Sequence, residues 1–204
     1  MKKIVSLILA AALLFTFTAF AEQETQDAPQ DAQQETQQDA PQEPQTYDWS
    51  KYKSVAELMG AEGNWATYDQ FNLTMWIPAE FEQTPDEEMP ENFKSEGYID
   101  LFGSNDYQLA IGVQHAFLDE SIDTVADLAN NIDTSVYQGA TLTKVNTYDV
   151  LMAVENEGEN LVVFIGGGKG EFLVFHYFHV NADEWSSGRA LISMASIQDT
   201  TNAQ

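Results

Sequence analysis

Three stretches of this chain hold residue types that could do chemistry. In "VVFIGGGKGEFLVF" (Val162 to Phe175) a lysine sits among glycines, as in a loop that cradles phosphate. A phosphate loop, however, follows its lysine with serine or threonine and then a helix whose N-terminus faces the anion. Here Lys169 is followed by Gly170 and Glu171, and then by "FLVFHYFHV", a run of aromatic and β-branched residues that reads as a strand. Gly166 to Gly170 therefore reads as a hairpin turn, in which glycine supplies positive φ. His176 and His179 form the second candidate. Residues three apart on a strand point to opposite faces, so the two cannot converge on one metal ion. They read as packed core or edge histidines, and so does His115; the sequence has no zinc signature.

The third candidate is acidic. Glu155-Asn-Glu-Gly-Glu-Asn160 and Asp119-Glu-Ser-Ile-Asp123 place oxygen ligands close together, a chemistry that suits calcium outside the cell. Neither follows the twelve-residue calcium-loop pattern, and the first lies between strand-like runs as a solvated turn would. The chain has 33 acids among 204 residues, so acidic clusters arise without selection for binding. There is no G-x-S-x-G elbow, no cysteine nucleophile and no penicillin-site motif set. A dispersed Ser/His/Asp site using His115, His176 or His179 is an alternative that only geometry can test. Trp65, Tyr68, Trp76, Phe81 and Tyr98 could line a pocket, although strand spacing favours the core for them.

The elements around these residues fall into three regions. Met1 to Ala21 has a positive start, an apolar middle and an A-x-A end, the form of a secretory signal; an uncleaved anchor is the alternative. The chain has no cysteine, so a lipid anchor and disulfides are not expected. Cleavage after residue 21 would leave 183 residues with six basic groups against the 33 acids, a net charge near −27. That charge disfavours nucleic acid and acidic membranes and suits cations. Glu22 to Thr46 has nine glutamines, three prolines, seven acids and no aromatic residue, and reads as a disordered tether spanning ~25–30 Å. Residues 47–204 form one α+β domain.

Within it, Ser54-Val-Ala-Glu57 has the form of a capping box opening a short helix that Gly60 ends. Trp65 to Tyr68 and Phe71 to Ile77 read as strands, Phe71, Leu73, Met75 and Ile77 sharing one face and Pro78 closing the second strand. "EFEQTPDEEMPEN" reads as a polar loop. Gly97 to Phe102 and Tyr107 to Phe117 predict an antiparallel hairpin around residues 103–106. Ile122, Val125, Leu128, Ala129 and Ile132 predict a helix capped by Ser121 or Thr124, with Asp127 three residues past the latter. Strands follow at residues 141–146, 148–154, 161–165 and 171–180, and a helix covers residues 183–197. Strand runs joined by short turns predict an antiparallel sheet with helices packed on its faces.

This order of elements resembles the PsbP-like fold superfamily, which includes the extrinsic photosystem II subunit and secreted bacterial proteins. The resemblance lies in "FNLTMWIPAEFEQ", "SEGYIDLFGSNDYQLAIGVQHAF", the helix "SIDTVADLANNI", the hairpins around "YDVLMAVENEGENLVVFIGGGKGEFLVFHYF" and the final "LISMASIQ". It implies a non-catalytic accessory or binding role and carries no catalytic residue. The expectation is a secreted or periplasmic monomer acting on a protein or envelope component, with no cofactor, no metal, no nucleic-acid partner and no stable membrane anchor. An extracellular hydrolase and a calcium-dependent binding protein using Glu155, Glu157 and Glu159 are the alternatives.

Overall fold

The computed structural model describes residues 46–58, 62–104 and 108–200. The signal-like segment, nearly all of the tether, Gly60 and the tip of the 103–106 turn lie outside the described residues. Eleven strands and four helices are described. In chain order they are β1 (Thr46–Tyr47), α1 (Trp49–Leu58), β2 (Gly63–Tyr68), β3 (Leu73–Pro78), β4 (Glu82–Gln83), α2 (Glu91–Ser95), β5 (Tyr98–Gly103) and β6 (Ala110–Phe117). Then come α3 (Val125–Asn131), β7 (Gln138–Val145), β8 (Tyr148–Glu155), β9 (Asn160–Gly168), β10 (Glu171–Phe178), α4 (Glu184–Ala195) and β11 (Gln198–Asp199).

Alternation builds the large sheet. Along β10, Leu173, Phe175 and Tyr177 face one way and Phe172, Val174 and His176 the other. β8 and β9 repeat the pattern, so eight strands pair in the order β1, β7, β8, β9, β10, β6, β5, β4. Every pairing is antiparallel except the two-residue contact of β1 with β7. α3 covers one face, burying Val125 and Leu128 against Leu151, Phe164 and Phe172. It is held by a complete capping box: Thr124 Oγ1 accepts from the Asp127 N–H, and the Asp127 carboxylate accepts from the Thr124 N–H. Of the two predicted caps, Thr124 is the one used.

The other face departs from the expectation of helices alone. It is covered by a second, three-stranded sheet in the order β11, β3, β2. Leu73, Met75 and Ile77 of β3 pack into the core with Ile111, Val163 and Phe175 of the large sheet. Trp76 turns to the opposite side and packs on Ile192 of α4 and Trp49 of α1. All six residues of β3 are buried, so the strand lies between the large sheet on one side and the helices on the other. A strand buried on both faces carries no polar alternation to show which layer it belongs to, so the strand runs read as one sheet in the sequence.

Local differences have local causes. α1 starts at Trp49 because the Asp48 side chain accepts from the Ser50 N–H; Ser54, predicted as the cap, lies inside the helix with its hydroxyl 3.4 Å from the Ser50 carbonyl. Phe71 leaves the strand for a 3₁₀ turn, because Asn72 takes a left-handed conformation at φ 52°. The loop predicted from "EFEQTPDEEMPEN" contains β4 and leads into α2, and it buries Phe81 and Met89. Thr46, placed in the tether by composition, pairs with Lys144 as part of β1. No helix among the described residues is long and apolar enough to cross a membrane.

Candidate functional site

A cleft of about 380 Å³ opens where an edge of the small sheet meets the β4 end of the large one. That volume lies within the ~300–1,000 Å³ of ligand-binding clefts. One wall is residues 64–67 of β2. Because successive strand side chains point to opposite faces, four consecutive residues line a cleft only if the edge of the strand faces it. Among the described residues no strand pairs with that edge: β2 bonds β3 on one side only. Gly63 begins this strand where the Trp76 indole lies flat against the backbone. A Cβ there would come within 1.8 Å of the ring nitrogen, so no side chain fits.

The opposite wall is Gln83 of β4 with Asp100 and Phe102 of β5, and Ile77 and Phe81 complete the lining. β4 pairs with only Phe102 and Gly103, so it leaves the first half of β5 uncovered on that edge. Asp100 reaches the cleft because of a β-bulge. β5 pairs Tyr98 with Gln114 but Asp100 with Val113, so the register slips between them. Without the bulge Tyr98 and Asp100 would share a face. With it Tyr98 packs beside His176 on one face, while Asp100 and Phe102 turn toward the small sheet.

Asp100 is half-buried. Burial raises its carboxyl above the usual range, opposed by the hydrogen bond from Gln83 Nε2 and by the adjacent Tyr68 hydroxyl and aided by repulsion from Asp86. The Tyr68 hydroxyl lies beside the carboxylate, buried and without a hydrogen bond of good geometry. Burial, together with the Asp100 charge, holds the Tyr68 phenol well above its ordinary range, so it is a neutral donor. Trp65, 39 % exposed, stands at the mouth and meets Trp49 edge-to-face at 5.6 Å. Among the described residues no basic residue lines the cleft. The arrangement can hold a cation against Asp100 and an apolar stem against Phe81 and Phe102. No nucleophile paired with a base stands among its lining residues.

The structure divides the five aromatics that the sequence offered as a pocket lining. Trp65 and Phe81 line the cleft, Tyr68 stands behind Asp100, Trp76 is core, and Tyr98 lies on the far face of the large sheet. Sequence reasoning missed Gln83 and Asp100. A lone acid inside the apolar run "YIDLF" was the available signal, but its face depends on a bulge that alternation does not show.

The histidines do not meet. His176 is buried in β10, with Nε2 3.1 Å from Gln114 Oε1 and Nδ1 3.7 Å from Glu155 Oε2. His179 follows the strand, exposed, in a left-handed conformation at φ 56°. His115 lies 3.6 Å from Glu171 Oε2 and packs at a tilt against Phe117. The first acidic cluster is the β8–β9 turn. Glu155 points inward to His176 and to Tyr137, whose phenol burial and the carboxylate push up to about 12, whereas Glu157 and Glu159 are exposed. Among the described residues no three His, Cys, Asp or Glu side chains come together as a metal set. In the second cluster Asp119 caps the Ser121 N–H, and Asp123 accepts from the Lys169 N–H. The glycine-rich stretch is a hairpin turn, with Gly168, Lys169 and Gly170 at φ 88°, 55° and 78° and β9 antiparallel to β10.

No family model and no curated protein matches the sequence. Among solved structures the chain is similar to cyanobacterial PsbP from Synechocystis, with a TM-score of 0.46 and 10% identity over 68% of this chain and 93% of that one. It is also similar to a protein of Bacteroides thetaiotaomicron, with a TM-score of 0.41 and 16% identity over 65% of this chain and 46% of that one. Both are likenesses of fold.

Proposed function

We propose that this chain is a non-catalytic binding module of the extracytoplasmic space and that it receives a protein partner in the cleft between its two sheets. The observation that carries this reading is the unpaired edge of β2 facing an aromatic cleft with one half-buried carboxylate. The N-terminus supports the location: its positive start, apolar middle and A-x-A end have the form of a secretory signal. The non-catalytic reading is supported by the neighbours of Asp100, which are an amide and a neutral phenol rather than a nucleophile and its base.

The test is site-specific photocrosslinking with the full chain in the cell that makes it. A crosslinker at Thr67, on the cleft wall, is compared with one at Lys53, an exposed position on α1. The reading expects discrete protein adducts from position 67 that are absent from position 53. Equal adducts from both positions, or none from position 67, would overturn it.

A further inference from the structure

Resting on the cleft as the binding site, we propose that its occupant is an extended, basic protein segment that adds to β2 as a fourth strand of the small sheet. Strand addition is the recognition mode open to an unpaired edge, because the main chain of the ligand supplies hydrogen bonds and its alternate side chains enter pockets on either side. β2 offers six residues of edge, with Gly63 paired to Pro78 at one end and Tyr68 to Leu73 at the other. A strand laid along it would place every second side chain toward the large sheet.

The lining sets the chemistry of those side chains. An inward-pointing one passes Ile77, Phe81 and Phe102 and ends at Asp100. A lysine or arginine fits that path, its alkyl stem on the apolar walls and its charge on the carboxylate. The side chains between point outward beside the exposed ring of Trp65, which favours a second cation or an apolar group. Asp100 is half-buried and has no cationic partner among the lining residues, so an arriving cation meets a carboxylate that burial has partly disfavoured. The formal net charge of −25 repels acidic segments and steers basic ones in. The chain's own residues 22–46, with seven acids and no basic group, are the wrong occupant on the same ground.

The experiment is titration calorimetry of the full chain with a capped heptapeptide of alternating lysine and valine at physiological salt. Two further peptides of the same sequence are N-methylated on alternate nitrogens, one on each edge, which preserves charge and removes the hydrogen bonds of one edge at a time. The proposal expects the parent peptide to bind and one methylated isomer to bind at least about tenfold more weakly while the other is little changed. It also expects Asp100→Asn to weaken the parent by roughly tenfold. Equal binding by all three peptides, with no effect of Asp100→Asn, would reduce the attraction to net charge and overturn strand addition. No binding by the parent peptide would overturn the basic-segment proposal. A dimer formed through β2, seen by sedimentation and abolished by a charged substitution at Thr67, would overturn it in favour of a second copy as occupant. The crosslinks from position 67 are a separate readout. If they persist while the peptide results fail, the cleft stands as a binding site and only its occupant is wrong.

Discussion

Asn146, in the tight turn between β7 and β8, joins segments far apart in the chain. Its Nδ2 donates to the carbonyls of Ala195, at 2.9 Å, and Ile197, at 2.7 Å, where α4 ends. Its Oδ1 accepts from the Trp49 N–H at 2.8 Å, where α1 begins, and its own N–H donates to Tyr47. Its φ is 50°, a conformation asparagine tolerates better than most residues. Asn146→Ala removes three partly buried hydrogen bonds at ~0.5–1.5 kcal/mol each, about 2–4 kcal/mol in all. The left-handed backbone adds about 1 kcal/mol, and Asn146→Gly removes the same bonds without that addition. Asn146→Asp keeps the acceptor for Trp49 but sets a carboxylate against two carbonyls at the negative end of a helix dipole. At pH 7 it is therefore at least as harmful as Asn146→Ala. Repulsion raises the pKa of the introduced carboxyl in the folded state, so its penalty shrinks as the pH falls and the protonated group becomes a donor. Urea unfolding of the three variants at pH 7 and pH 4.5 tests this ordering, and ~1 kcal/mol corresponds to roughly 2–4 °C in Tm for a domain of this size. An Asn146→Asp variant that is clearly milder than Asn146→Ala at pH 7 would refute the account.

Gly170, at φ 78°, would place a Cβ 2.6 Å from the Leu118 carbonyl oxygen, whereas one at Gly158, at φ 92°, would meet nothing. Gly170→Ala should therefore cost more than the ~1–2 kcal/mol of backbone conformation that Gly158→Ala costs alone, as read from thermal melts. Ser196→Ala leaves the buried Trp76 N–H without its 2.7 Å acceptor and should cost ~1–3 kcal/mol in urea unfolding. Asp100, whose carboxyl burial raises, contributes stability at low pH that is lost as the pH rises through its folded value. Asp100→Asn should thus melt higher than the parent protein at pH 7, and the gap should close below pH ~4. Asp48, Asp119, Asp127 and Asp133, lowered by hydrogen bonds from Ser or Thr, act with the opposite sign and lose their contribution on acidification. Arg189 is buried, with Nε and one Nη unpaired and the other Nη 3.5 Å from Glu80. Arg189→Met should be neutral or stabilising in the same melts, since a methionine fills the volume without a desolvated charge.

The elements were legible in the sequence wherever one face of a strand or helix is polar. α3 sets Val125 and Leu128 on one face at the helical period with polar residues between them, and the capping box at Thr124 and Asp127 is local. What depends on distant residues was not legible. β3 is buried on both faces and so hides which sheet it joins. The Asp48 cap outcompetes Ser54 for the start of α1. The candidate site needs both kinds of information: the aromatic residues of "NWATY" stand out in the sequence, but Asp100 joins them only through a register slip between β5 and β6. Asn146 gave no signal beyond its place in a short turn, because its partners lie 97, 49 and 51 positions away.

The small sheet joins β3 to β11 by pairing Leu73 with Asp199 and Thr74 with Gln198. A strand pair separated by more than 120 residues cannot form while the chain is still being delivered, from a ribosome or through a pore. Until α4 and β11 arrive, Trp76 lacks its Ile192 contact and its Ser196 acceptor, and the small sheet has no third strand. The β2–β3 hairpin therefore waits as an exposed apolar ribbon with two open edges, whereas β7 to β10, each antiparallel to the next, can pair as they appear. Folding should end with closure of the small sheet. The interval before closure is when this chain is most exposed to strand-to-strand aggregation and most in need of a chaperone that covers β3.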